Sequence, residues 1–144
     1  MRPVQSLWML IAVFLAFRII AAEPPSVNDV MVSIITPATD TIWQIEDPQT
    51  DEEWQVYVDA AAQVLDAATR IKSGGSGPND SNWAQDPRWQ QFADVLIESA
   101  KKVKAAAEQH DLDTLVDVSN EVMYPPCEEC HLMFHPGLQQ QEVN

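Results

Sequence analysis

The sequence predicts an all-α protein, folded as an antiparallel four-helix bundle, and three observations support this fold class. Apolar residues recur every three or four positions along four stretches of the chain, which is the spacing of one face of a helix. No stretch alternates strictly between polar and apolar residues, as a half-buried strand would. Most links between the four stretches are short, so successive helices are expected to lie side by side and antiparallel.

The first 22 residues differ in kind from the rest of the chain. Arg2 precedes the unbroken apolar run Leu7–Phe17, and two alanines end the segment. The run is short for a transmembrane helix and is typical of a secretory signal peptide that is cleaved after about Ala22. Arg18 lies between the run and the cut, so an uncleaved N-terminal anchor is the alternative. In both cases we expect residues 23–144 to be exported.

The first predicted helix covers about residues 26–45. Ser26 is a suitable N-cap, because its hydroxyl can accept a hydrogen bond from the backbone of the first turn. Pro37 lacks the amide hydrogen that would bond to the carbonyl of Ser33, so the helix is expected to bend there. Its inward face is predicted to consist of Val27, Met31, Ile34, Ala38, Ile42 and Ile45.

The second predicted helix starts at a capping box, in which Thr50 and Glu53 each bond to the other's backbone amide. It is expected to end near Lys72, because Gly74 provides a stop signal. Its inward face is predicted to consist of Trp54, Val58, Ala61, Leu65, Ala68 and Ile71.

Residues 73–86 are rich in Gly, Ser, Asn and Pro and predict a flexible surface loop, in which Trp83 is a candidate lid over the end of the bundle. The third predicted helix begins after this loop, with Asp86 as N-cap and Pro87 at the first helical position. Its inward face is predicted to consist of Trp89, Phe92, Leu96, Ser99, Val103, Ala106 and His110.

The fourth predicted helix follows after one or two residues and is capped by Asp111 or Asp113. The Pro125–Pro126 pair is expected to break or kink it, so that a short helix restarts and carries Cys127–Phe134. The inward-facing residues before the prolines are predicted to be Leu112, Leu115, Val116, Ser119, Val122 and Met123.

The chain is strongly acidic, with 8 Lys and Arg against 22 Asp and Glu and a formal net charge of −14. It therefore lacks the clustered cations that bind a nucleic-acid backbone, and anionic lipid surfaces would repel it. A partner protein with a basic docking surface suits this charge. No paired catalytic carboxylates, nucleophile triad or phosphate-binding loop appears, so the sequence does not predict an enzyme.

The segment Cys127–His131 (CEECH) contains both cysteines of the chain and matches the C-x-x-C-H pattern of covalent haem attachment. On one helical turn, the two sulfurs can reach the two vinyl groups along one edge of a porphyrin and form thioethers. The adjacent histidine can then bind the iron as the proximal ligand. The motif predicts one haem c per chain, held by Cys127, Cys130 and His131.

Three other uses of this cysteine pair fit the residues less well. A zinc site needs ligands at separated positions, and the chain has no further cysteines, although His135 lies one turn after His131. A thioredoxin-type redox pair is expected in a βαβ setting, which this sequence does not predict. A disulfide between Cys127 and Cys130 is open to an exported protein, but so short a loop brings little entropic stabilisation.

A four-helix bundle with C-x-x-C-H on its last helix resembles the class II cytochromes c, the cytochrome c-prime family. The resemblance covers residues 23–144 in helix count and in the Trp- and Ala-rich middle helices, and CEECH is its only highly specific motif. It implies that Cys127 and Cys130 carry the haem and that His131 is an axial ligand. Family members often have an aromatic and then a basic residue shortly after this histidine. Here Phe134 matches, and His135 replaces the basic residue.

The resemblance also implies two functions, which differ in the second axial ligand. Low-spin members use a Met of the first helix, and Met31 lies on the inward face of the first predicted helix. A thioether there would complete a His/Met pair and raise the reduction potential, as in a periplasmic electron-transfer cytochrome, which is the leading expectation. In the alternative, Met31 is core filler and the iron binds small gases such as NO and CO. The distal pocket would then be walled by Val27, Ile34 and Ile35.

Other expectations concern single residues. His110 is expected to act as a cation at the end of the third helix. Trp54 or Trp89 is expected to touch the porphyrin, and Met123 and Met133 to pack around its edge. Dimers are common in the family, so a homodimer is a further expectation, although the sequence shows no apolar patch that requires one.

Overall fold

The computed structural model describes residues 23–135, and every regular element in that range is helical. The predicted all-α class is therefore confirmed for this part of the chain. The predicted signal peptide and residues 136–144 lie outside the described residues. Within the described range, no helix is both long and apolar enough to cross a membrane.

The helical elements lie close to their predicted positions, with a short additional helix in the predicted loop. Two of the elements are π-helical, and we name them the first and the second wide turn. The first predicted helix ends at Trp43, two residues earlier than expected. In chain order the elements are α1 (Val27–Val30), the first wide turn (Met31–Ile35), α2 (Thr36–Trp43), α3 (Asp51–Lys72), α4 (Asp80–Trp83), α5 (Pro87–Glu108), α6 (Leu112–Asp117), the second wide turn (Val118–Met123) and α7 (Tyr124–Phe134).

Capping boxes are present at the starts of two helices, at the predicted N-cap Ser26 and at the predicted capping box of Thr50 and Glu53. The hydroxyl of Ser26 accepts a hydrogen bond from the Asp29 amide (3.1 Å), and the Asp29 carboxylate accepts one from the Ser26 amide (3.1 Å). Thr50 and Glu53 make the same reciprocal arrangement before α3. These caps confirm the predicted starts, because they satisfy amide groups that have no partner within the helix.

The first wide turn lies where the sequence predicts a bend. The amide of Thr36 donates to the carbonyl of Met31, five residues back instead of four. Pro37 follows immediately, and the carbonyl of Ser33, which the proline cannot satisfy, lies inside the turn. Pro37 thus predicted correctly where the first helix departs from regular α-helical geometry. The structure shows that the departure is a widened turn within a continuing helix.

Of the two outcomes predicted at the Pro125–Pro126 pair, a break or a kink of the last helix, the break is wrong. The backbone stays helical over Leu112–Phe134, and the Pro125–Pro126 pair lies in the first turn of α7. The second wide turn, Val118–Met123, precedes the pair, and the amide of Tyr124 donates to the carbonyl of Ser119. The wide turn accommodates the prolines because it displaces the carbonyls with which their rings would otherwise clash.

The two long helices, α3 and α5, are antiparallel and pack along their length. At one end, Nε1 of Trp89 near the start of α5 donates to the carbonyl of Ile71 near the end of α3 (3.0 Å). At the other end, the His110 ring after α5 stacks on Trp54 near the start of α3, with centroids 5.0 Å apart. Small side chains on both helices allow a close approach of their axes. They include Ala60, Ala61, Ala67 and Ala68 on α3 and Ala93, Ala100, Ala106 and Ala107 on α5.

His110 was predicted to end the inward face of the third helix, and this placement is wrong because its side chain is exposed. Its backbone has a φ of 55°, which ends the helix in the left-handed region. The side chain is exposed, and Nε2 lies 3.8 Å from Oδ1 of Asp51. The residue therefore covers Trp54 and stops α5.

The loop between α3 and α5 folds around a buried carboxylate. Gly74, with a φ of 86°, ends α3 as predicted. Asp80 is 2% exposed, and its Oδ2 accepts hydrogen bonds from the amides of Val27 and Gly77, both at 2.8 Å. A Cβ on Gly77 would lie 2.6 Å from Oδ1 of Asp80, so only glycine fits there. Asp80 thus joins the loop to the start of α1.

We expect Asp80→Ala to lower the free energy of unfolding by about 3 kcal/mol, because it leaves one buried and one partly buried amide without their acceptor. Asp80→Asn retains a side-chain oxygen, and we expect it to cost about 1 kcal/mol. Urea denaturation measures both values. The control is Asp59→Ala, which removes an exposed hydrogen bond from Gln55 and should cost less than about 0.5 kcal/mol. An Asp80→Ala variant as stable as this control would contradict the assignment.

Candidate functional site

A cavity of about 190 Å³ lies between the first helix, the two long helices and the last helix. One wall comes from the first wide turn and α2. It consists of Met31, Ile35, Thr36, Thr39, Asp40 and Trp43. A second wall comes from the end of α3 and the first half of α5. It consists of Ile71, Trp89, Phe92, Ala93 and Leu96.

The remaining wall is the start of α7, which contributes Pro126 and three residues of the CEECH motif, Cys127, Cys130 and His131. The fold thus brings Met31 to the same cavity as the motif, although the two are far apart in sequence. These four are the residues that the sequence proposes as haem attachments and iron ligands. Their chemical roles stay predictions, and their placement allows those roles.

Both cysteines are free thiols in this cavity wall. Burial raises the pKa of Cys127 to about 12, with a further contribution from the nearby Cys130, and burial raises the pKa of Cys130 to about 11. Both groups are therefore protonated at neutral pH. A catalytic or redox-active cysteine has a lowered pKa, so this environment does not suit that use.

His131 lies at the mouth of the cavity, where its side chain remains accessible to solvent. Burial of part of the ring and the nearby His135 lower its pKa below the usual histidine value. The ring is therefore neutral at pH 7 and has a nitrogen lone pair. A neutral imidazole is the form that binds a transition metal.

An aromatic cluster closes one end of the site. The ring of Phe134 contacts Trp83, Trp89 and Phe92 edge-on, with centroids 6.1, 5.2 and 6.4 Å away. Trp83 stacks on Trp89 at 5.4 Å, so the tryptophan that the sequence suggests as a lid does pack over this end. Trp89 lines the cavity, whereas Trp54 lies at the opposite end of the long helices.

Several lining residues were not predicted from the sequence. Thr36, Thr39, Asp40 and Trp43 lie outside the predicted inward face of the first helix, because that face assumes an uninterrupted α-helix. The available signal was Pro37, which marks the disturbed turn. Trp43 is fixed by its Nε1, which donates to the carbonyl of Ser119 in the second wide turn (3.2 Å).

Other predicted contacts with the site are only partly met. Of the three residues expected to wall a distal pocket, Ile35 lines the cavity, and Val27 and Ile34 do not. Met123 is fully buried in the core, and Met133 is 39% exposed on α7. Neither methionine lines the cavity.

Comparisons with known proteins give no match: no protein-family model, no curated protein and no solved structure is similar to this chain.

Within residues 23–135, no group of three or more His, Cys, Asp and Glu side chains is arranged to hold a metal ion.

Proposed function

We propose that the protein is an exported monohaem c-type cytochrome that transfers electrons, built as a four-helix bundle with the haem attached to α7. The observation that carries this proposal is the shared cavity of Met31, Cys127, Cys130 and His131. The CEECH motif requires its two sulfurs and its imidazole to face one space that can accommodate a flat apolar ring. A second soft ligand in the same space is what an electron-transfer site needs.

The residues present fit a haem chemically. Both cysteines are free thiols, and burial lowers the pKa of His131, which favours the neutral imidazole that can bind a metal. Aromatic and aliphatic side chains make up much of the wall and suit the apolar faces of a porphyrin. Asp40 is the one carboxylate among the described lining residues.

The chain's own residues have distinct tasks in this proposal. Sγ of Cys127 and Sγ of Cys130 would hold the haem covalently, each by a thioether formed when the S–H adds across a vinyl group. The imidazole of His131 and the thioether of Met31 would hold the iron, and a thioether ligand would favour the reduced state. Apolar walls such as Trp89 and Leu96 exclude water. The bound haem supplies one-electron exchange between ferric and ferrous iron.

The predicted leader and the haem motif together support a periplasmic location for the exported part. We further propose a redox partner with a basic docking surface, because the chain has a formal net charge of −14.

We expect the rate of reduction by a cationic metal complex to fall as ionic strength rises from about 0.01 M to about 1 M, because salt screens the attraction to an acidic protein. Stopped-flow spectroscopy measures this rate. The control is an anionic complex of matched potential, whose rate should rise over the same range. A rate for the cationic complex that is indifferent to salt would count against electrostatic docking.

The test of the proposed function is the visible spectrum of the purified protein in its reduced form, before and after addition of CO. Sharp low-spin bands that CO does not change would support the electron-transfer cytochrome with both axial positions filled. A high-spin spectrum that changes on CO binding would instead support a gas-binding protein of the same family. A colourless protein would refute both.

A further inference from the structure

The two wide turns lie on the two helices that carry the proposed haem ligands, and we infer that they set the rotation of these helices toward the cavity. The ligand roles rest on the proposed function, but the geometry does not. A π-helical turn contains about one residue more than an α-helical turn, because its hydrogen bonds join residues five apart instead of four. At about 100° per residue, it shifts all later residues by about 100° relative to earlier ones.

The effect on the first helix follows from the positions of Met31, Asp40 and Trp43. In an uninterrupted α-helix, Asp40 would lie about 180° and Trp43 about 120° from Met31 around the axis. Residues so placed cannot all face one cavity. The first wide turn reduces the two angles to about 80° and about 20°. All three residues do line the cavity, as the corrected angles require.

The second wide turn rotates the last helix in the same way, and the fully buried Leu115 marks the direction of the core. Without a wide turn, Cys127 would lie about 120° and His131 about 160° from Leu115. The motif would then face away from the core. The second wide turn reduces these angles to about 20° and about 60°, which agrees with the place of both residues in the cavity wall.

Prolines fix where the two wide turns form. Pro37 lies four residues after Ser33, and the Pro125–Pro126 pair lies four residues after Glu121–Val122. Each of these earlier residues is inside a wide turn. In a regular α-helix, the carbonyl of each of these earlier residues would clash with a proline ring and would have no amide donor. The prolines are therefore positioning residues for the site, although only Pro126 lines the cavity.

Deletion of Ser33 tests this inference in the full chain and is combined with Pro37→Ala, because the proline ring would clash with a carbonyl in a regular α-helical turn. Ser33 is exposed and lies in the first wide turn, so its removal should leave a regular α-helical turn with both flanks in unchanged rotation. The matched control is deletion of Gln63, an exposed residue in the regular helix α3. That deletion rotates one half of α3 against the other by about 100°. Insertion of an alanine after Ser33 is the opposite change, and should rotate Met31 away from the cavity.

We expect the Ser33 deletion with Pro37→Ala to change the melting temperature by a few degrees only, and deletion of Gln63 to lower it by about 10 °C or more or to prevent folding. Equal losses from both deletions would overturn the inference. In the haem-loaded protein, deletion of Ser33 should keep the low-spin spectrum, and the insertion should give a CO-binding form. A folded Ser33 deletion that gains CO binding would also overturn the inference. Absence of haem would refute the proposed function, while the melting comparison still decides the register.

Discussion

Replacement of both Cys127 and Cys130 by serine is expected to abolish covalent haem attachment. A serine hydroxyl does not form the thioether bonds, so nothing would hold the haem to the chain after denaturation. Each single variant should retain at most one bond and a strongly reduced yield. Haem staining of a denaturing gel measures this outcome, because haem that is not covalently bound is lost in the denaturant.

The matched controls lie within the same helical turn. Glu128→Gln and Glu129→Gln change the two residues between the cysteines, and both side chains are exposed. They should leave haem attachment unchanged, since the motif places no demand on these positions. Haem that stays bound to the double serine variant after denaturation would contradict the assignment of the cysteines.

The second large effect is expected for Met31→Ala. Loss of the thioether should open the sixth position of the iron, so that the reduced protein becomes high-spin and binds CO. The reduction potential should also fall, because a Met ligand favours the reduced state. Visible spectroscopy and a redox titration measure these changes. Met31 is half-buried, so we expect the substitution to cost about 2 kcal/mol of stability as well.

Two controls separate ligation from packing. Met31→Leu keeps most of the volume and should cost less than about 1.5 kcal/mol, yet it should bind CO as Met31→Ala does. Met133→Ala removes an exposed thioether on α7 and should leave the spectrum unchanged. If Met31→Ala has the same spectrum as the unaltered protein, Met31 is not the ligand.

Local signals in the sequence predicted the boundaries of most helices. Ser26, Thr50, Asp86 and Asp111 all cap helices in the structure, and their side chains accept hydrogen bonds from the first turn. Gly74 ends α3 as expected. Such features depend on a few neighbouring residues and on the fixed geometry of a helix end, so they can be derived without knowledge of the tertiary structure.

The wide turns were not predicted, although the prolines that accompany them were recognised. Pro37 and the Pro125–Pro126 pair indicate that a carbonyl four residues earlier loses its donor. They do not indicate whether the helix bends, breaks or widens. That outcome depends on which rotation of the following helix packs best against its neighbours, which is a property of the whole fold. For the same reason Asp40 and Trp43 were missed as cavity residues.

The candidate site was predicted in part. CEECH is a local pattern whose chemistry requires adjacent residues, so Cys127, Cys130 and His131 could be proposed from the sequence alone. Met31 was proposed from its place on the inward face of a helix and from a family resemblance, and the structure does place it at the same cavity. The buried Asp80 was not noticed, because an aspartate in a Gly- and Ser-rich loop gives no sign that it will be buried.

The most direct test of the central claim is the intact mass of the denatured protein after expression in a host that attaches haem covalently to exported proteins. The proposed cytochrome would give the mass of the exported chain, with or without its leader, plus one haem, with thioether bonds mapped to Cys127 and Cys130. A mass without haem and two hydrogens below that of the reduced chain would show a disulfide instead. That result would contradict the proposal that this protein is a cytochrome.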